Sequence, residues 1–202
     1  MHSITFDFLA QHRHGDAFRD YLRLRKRFFV DALGWDIPHN DEVEMDQYDN
    51  PCAHYSLVLD EGRVVGGARI MPTSAAWGRH TYMLRDALRG ELAQIPPAVM
   101  PEDIASAAVW ECTRLVVSDD LDCHRSRSTC LALVVDGLLG IGQAHGAREL
   151  ISLSPLTLVR TLRQAGFPAS RRGEPYASEA DGRRYAVLSM PVAEPAVAFA
   201  AE

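Results

Sequence analysis

The residues best suited to chemistry in this chain fall into two groups. Between Phe28 and Gly62 there is no Lys or Arg, while Asp31, Asp36, Asp41, Glu42, Glu44, Asp46, Asp49, Asp60 and Glu61 all lie there, with Trp35 and Tyr48 among them. Aromatic faces and carboxylates are what a cationic ligand needs, because a ring quadrupole and a nearby negative charge both favour it. The second group is charge set into apolar strand patterns: Arg69 in "GGARIMP", and Glu111 and Arg114 in "WECTRLVV". Glu111 and Arg114 are three apart, so a regular strand sends them to opposite faces. Either a bulge turns both towards one site, or they have separate roles.

Metal chemistry finds little support. Cys52, Cys112, Cys123 and Cys130 show no zinc spacing, His12 and His14 sit in a short loop near a terminus, and "DNPCAHYSLVLDEG" lacks the spacing of a calcium loop. No metal ligand is expected. No glycine-rich phosphate loop of the GxxxxGK or GxGxxG kind occurs either.

The elements that carry these residues follow from periodicity. "SITFDFL" (3–9) reads as a strand, 16–33 as a helix, and a long loop runs to about Ala53. Stepping 100° per residue along the helix puts Phe18, Leu22, Arg25, Phe29 and Ala32 within about 40° of one stripe. Arg25 therefore faces inward, where a guanidinium needs carboxylates to offset its desolvation, and the acidic loop just after it is the nearest source. "HYSLVLD" and "RVVGGARIMP" form a hairpin, "TYMLRDALRGELA" a helix, "AAVWECTRLVV" the central strand, and 126–145 a long apolar helix. "ELISLS", the helix "PLTLVRTLRQAG" and the strand "RRYAVLSMPV" complete the order β-α-loop-β-β-α-β-α-β-α-β, an α/β domain with a mixed sheet. A single domain over 1–192 and a tail over 193–202 are expected.

The 202 residues, 47% of them hydrophobic, suffice for one sizeable core. No run of 18 apolar residues could span a bilayer and the amino terminus lacks a signal-peptide pattern, so a cytoplasmic location is expected. A net charge of −6 argues against nucleic acid as the main partner. Arg160, Arg163, Arg171, Arg172, Arg183 and Arg184 nevertheless cluster near the carboxyl end and suit an acidic partner.

The spacing Arg25-x3-Phe29-x5-Trp35-x10-Asp46-x2-Asp49, followed by Arg69 in "GRVVGGARIMPT" and by Glu111 and Arg114 in "WECTR", resembles the acyl-homoserine lactone synthases (autoinducer synthases) from about residue 21 to 118. The resemblance implies an acetyltransferase-like (GNAT-like) three-layer α/β sandwich with a mixed, mostly antiparallel sheet. It also implies an acyltransferase that joins S-adenosylmethionine, a substrate and not a cofactor, to an acyl group from acyl carrier protein or, in some members, coenzyme A. The amine attacks the thioester, the methionine carboxylate then displaces methylthioadenosine as the lactone closes, and the product is a quorum-sensing signal. On this reading Phe29 and Trp35 pack around S-adenosylmethionine, Asp46 and Asp49 supply charge balance, and Arg25 and Arg69 anchor carboxylates or the loop. Glu111 is the candidate base, Arg114 orders Glu111 or the acidic loop, and Thr113 stands where the family usually has serine. Ser152 stands near the threonine of members that read a 3-oxo group, and the lack of a glycine-rich loop in "HRSRSTC" favours a carrier-protein donor. The alternatives are an N-acyltransferase acting on another amine without lactone formation, and a non-catalytic binder of the same ligand.

Overall fold

A computed structural model describes residues 1–193. The expected tail lies outside the described residues apart from Ala193. Strands β1 (His2–Asp7), β2 (His54–Asp60), β3 (Arg63–Pro72), β4 (Val109–Val117), β5 (Glu149–Pro155), β6 (Ser170–Arg171), β7 (Tyr176–Ala177) and β8 (Arg184–Pro191) form one sheet. Its order is β1-β2-β3-β4-β5-β8-β6, with β7 also paired to β8. Every pairing is antiparallel except β4 with β5. The helices α1 (Ala17–Arg25), α2 (Met83–Leu88), α3 (His124–Ala144) and α4 (Thr157–Gln164) complete the framework.

The sheet separates two cores. Tyr21, Leu24, Tyr55, Leu57, Tyr82 and Leu84 pack on the side of α1 and α2, and Val58, Ile70, Cys130, Val134, Leu150 and Leu162 on the side of α3 and α4. The result is the three-layer, mostly antiparallel sandwich expected. Two adjacent glycines in β3 let helices approach from both sides: a Cβ at Gly67 would fall within 3 Å of Leu57 and Tyr21, and one at Gly66 would collide with the Cys130 sulfur.

The short strands β6 and β7 are absent from the sequence reading, the first strand gives way at Phe8 to a short 3-10 helix (Phe8–His14), and two helices differ from that reading. The first helix is α-helical only to Arg25, and Lys26–Ala32 continues it as a π-helical turn in which Leu33 N–H donates to the Phe28 carbonyl at 3.1 Å. The second helix is shorter than 81–93, because it ends at Leu88, with Arg89 as its cap before Gly90, whose φ is +76°.

Candidate active site

The parallel strands β4 and β5 pair only from Val109 with Glu149 to Glu111 with Ile151, although both run on for several residues. Beyond that point they part, and a cleft of about 840 Å³ opens between them. One part is lined by Phe28, Phe29, Trp35, Tyr48 and Met83 on the α1 side, the other by Leu131, Val135, Leu138, Leu158 and Leu162 on the α3 side.

A bulge aims the charged residues of β4. Gly67 faces Val116 and Arg69 faces Thr113, so two steps along β3 oppose three along β4. The extra residue lies at Arg114, whose φ is +56°, a left-handed conformation that non-glycine residues rarely adopt. Tyr21 O–H donates to the Arg114 carbonyl at 2.8 Å and helps to hold it there. Glu111, Thr113 and Arg114 consequently all engage partners on the α1 and α2 side.

Three guanidinium groups and three carboxylates interlock in and behind the cleft wall, with Asp46 and Arg114 at its surface. Arg25 Nε donates to Glu44 at 2.6 Å and its terminal nitrogens to Asp49 at 2.8 and 2.9 Å. Arg69 donates to Asp46 at 2.5 and 3.2 Å and to Thr113 Oγ1 at 3.0 Å, and lies 2.9 Å from Asp49. Arg114 reaches Glu44 at 3.2 Å and Asp46 at 2.7 Å. Burial alone would raise the carboxyl values of Asp46 and Asp49, but Arg69 foremost holds both below the usual range. Burial likewise works against the charged forms of Arg25 and Arg69, yet the facing carboxylates hold both above the ordinary value. Asp46, Asp49, Arg25 and Arg69 are therefore held in their charged forms, and the formal charges of the six side chains sum to zero. Asp46 N–H donates to Asp49 and Tyr48 N–H to Asp46, so the network also sets the path of the acidic loop.

Its carboxylates are therefore committed to arginines, and the wall offers aromatic faces instead. Arg69 lies over the Tyr48 ring and Arg114 over Phe29, each at 5.5 Å. Trp35 stacks on Phe29 with ring centres 5.0 Å apart.

Glu111 is 1% exposed. Its two oxygens accept the N–H groups of Met83 and Leu84 at 2.9 and 2.8 Å, and so cap the start of α2. Burial raises its pKa to about 7, with the two N–H groups opposing. Ser152 follows the parting point on β5 and lies 3.0 Å from Ser154, hydroxyl to hydroxyl.

Of the residues singled out from the sequence, Phe29, Trp35, Asp46, Thr113, Arg114 and Ser152 line the cleft. Asp49, Arg69 and Glu111 stand behind its wall in contact with the lining residues Asp46, Thr113 and Met83, and Arg25 lies one step further back against Glu44 and Asp49. Sequence reasoning passed over Glu44 as a site residue, although it alternates with Asp46 in "EVEMD" and is fully buried. It also passed over Asp181 and Tyr185, for which no local signal exists. Among the described residues no helix is long and apolar enough to cross a membrane.

Residues 10–198 match the family model described as autoinducer synthase. An acyl-homoserine-lactone synthase of Aeromonas salmonicida is 30% identical over 174 residues, covering 82% of this chain and 75% of that protein. One of Acinetobacter nosocomialis is 31% identical over 159 residues, covering 75% of this chain and 80% of that protein. The crystal structure of TofI in a ternary complex with an inhibitor and MTA overlays with a TM-score of 0.73 at 26% identity, covering 95% of this chain and 92% of that one.

Proposed function

The chain belongs to the autoinducer synthase family, whose acyltransferases make acyl-homoserine-lactone signals, and from that premise we propose how a single domain over 1–192 divides the work. The fold is acetyltransferase-like, and the parting of β4 from β5 is the observation that carries the reading. It joins an aromatic chamber to an apolar one within a single cleft, as a reaction between S-adenosylmethionine and a long acyl thioester requires.

Phe28, Phe29, Trp35 and Tyr48 suit the sulfonium and ammonium of S-adenosylmethionine through their ring faces. The balanced network of Arg25, Arg69 and Arg114 with Glu44, Asp46 and Asp49 orders that chamber. The apolar side chains of α3 and α4 receive the acyl tail. N–H groups of β4 beyond the parting point have no partner on β5 and suit the thioester oxygen as it gains negative charge. The amine nitrogen bonds to the thioester carbon and the C–S bond breaks, releasing the donor thiol. The carboxylate oxygen of the same methionine then bonds to its own γ-carbon, the one attached to sulfur. That C–S bond breaks, and neutral methylthioadenosine leaves with the lactone closed.

The attacking amine must first lose a proton, and Glu111 is the proposed acceptor, through water because the carboxylate itself is buried. With a pKa near 7, its basic form accumulates as pH rises through 7, so kcat/KM should climb there. Glu111→Gln should lower turnover by about 10²- to 10⁴-fold and remove that limb. The amide keeps one acceptor but turns N–H groups against α2, so a stability loss of about 1–3 kcal/mol is expected. The pH profile is the discriminating measurement, and an unchanged limb in the variant would assign Glu111 to the capping of α2 alone.

The donor is proposed to be acyl carrier protein. Arg125, Arg160, Arg183 and Arg184 are exposed, whereas Arg172 is tied to Glu102 and Glu149. The decisive experiment supplies S-adenosylmethionine with acyl groups on carrier protein or on coenzyme A and follows methylthioadenosine and acyl-homoserine lactone by mass spectrometry. Both products should appear, faster from the carrier protein, and that advantage should shrink with added salt. Acylated amine without methylthioadenosine would make the enzyme an ordinary N-acyltransferase.

A further inference from the structure

Asp181 is one acid among the carboxyl-terminal arginines, yet its carboxylate joins the two walls of the cleft. Its Oδ2 accepts the indole N–H of Trp35 at 3.1 Å and the Tyr185 hydroxyl at 2.6 Å, while Oδ1 accepts the Arg183 N–H at 3.0 Å. Trp35 follows the π-helical turn on one wall, and Asp181 lies in the turn between β7 and β8 on the other. That turn is itself braced: Ser178 N–H donates to the Arg183 carbonyl at 2.8 Å and Gly182 N–H to the Ser178 carbonyl at 2.9 Å. Gly182, at φ +67°, supplies the left-handed residue it needs.

The consequence concerns the indole. Its only hydrogen-bond donor is taken by the opposite wall, so Trp35 has a ring face and no N–H to offer a ligand. Phe29 stacks against it and Tyr185 meets it edge-on with ring centres 6.1 Å apart, so the ring is held from three directions. Phe29 in turn lies under Arg114, which connects this support to the bulge in β4.

We propose that Asp181 is a positioning residue for the sulfonium substrate: it fixes the rotation of Trp35 so that the indole face, and not its edge, meets S-adenosylmethionine. This rests on the reading of the aromatic chamber as the S-adenosylmethionine site. Asp181 acts through Trp35 and needs no contact of its own with the substrate. Burial works against its charge, but the bond from Tyr185 and the Arg183 N–H keep its carboxyl below the usual range, so it stays an acceptor at working pH.

Kinetics of the full chain test this, with the KM for S-adenosylmethionine and that for the acyl donor measured separately in Asp181→Ala, Asp181→Asn, Trp35→Phe and the double variant Asp181→Ala/Trp35→Phe. Asp181→Ala should raise the KM for S-adenosylmethionine about tenfold and leave the acyl-donor KM within about twofold, and Asp181→Asn, which keeps an acceptor oxygen, should be milder. Trp35→Phe has already lost the donor, so the double variant should be no worse than Trp35→Phe alone. Additive losses, a rise in the acyl-donor KM instead, or a lower Tm with unchanged kinetics would overturn the proposal. If the unmodified chain releases no methylthioadenosine, the functional reading fails. If it turns over and Asp181→Ala matches it, only the role of Asp181 fails.

Discussion

Arg69→Met is expected to lower the unfolding free energy by about 3–5 kcal/mol, the cost of stranding a buried charge by removing its partner. Arg69 is fully buried and serves Asp46, Asp49 and Thr113 at once. Without it two guanidinium groups face three carboxylates that are all buried. Turnover should fall with stability, because the loop carrying Asp46 and Tyr48 forms part of the cleft wall.

The pH dependence gives this prediction a sign. In the unmodified protein Asp46 and Asp49 titrate below the usual carboxylate range, so their contribution is fully present above the unfolded value of about 3.9 and is lost as pH falls below it. Removing Arg69 takes away the foremost influence that lowers both, and burial then dominates. One carboxyl should titrate above its unfolded value, and the folded state then binds more protons than the unfolded one. The variant should therefore gain stability as pH falls from 7 towards 5. Denaturant unfolding at several pH values measures this, and Arg69→Met/Asp46→Leu should recover part of the loss by restoring neutrality. A midpoint like that of the unmodified protein would show that the network does not hold the loop.

Arg25 was legible because helical periodicity is a local property: one charged residue on an apolar stripe announces itself, and the acidic loop nearby supplies its partners. The apolar run of β3 likewise exposed Arg69 as a charge in its interior. Glu111 and Arg114 were legible as anomalies only, since their three-residue spacing leaves a bulge and two opposite faces equally open. The register against β3 decides it, and register depends on partners about 44 residues away in sequence. The second helix was read too long because its start is set by Glu111, from a different strand, and its end by Gly90. Asp181 and Trp35 lie 146 residues apart with no periodic pattern joining them, so nothing short of the fold brings them together.

Ser152→Phe is expected to act on the other half of the cleft and to spare the network. The residue stands just past the point where β5 leaves β4, partly buried, with Ser154 bonded to its hydroxyl. A phenyl ring there would fill space proposed for the acyl tail, and each methylene a pocket excludes is worth about 10- to 200-fold in kcat/KM. Long-chain donors should therefore lose at least about a hundredfold, and butyryl donors much less. Ser152→Ala removes only the hydroxyl and should leave straight-chain donors nearly unchanged. A fall for 3-oxo donors alone in that variant would identify the hydroxyl as their hydrogen-bond donor. Equal losses across all chain lengths in Ser152→Phe would mean that the apolar chamber does not hold the tail. Because strand alternation puts Ser152 with Leu150 on the α3 side and Trp35 lies on the α1 side, the KM for S-adenosylmethionine should stay constant in Ser152→Phe, so that measurement on one variant tests the division of the cleft itself.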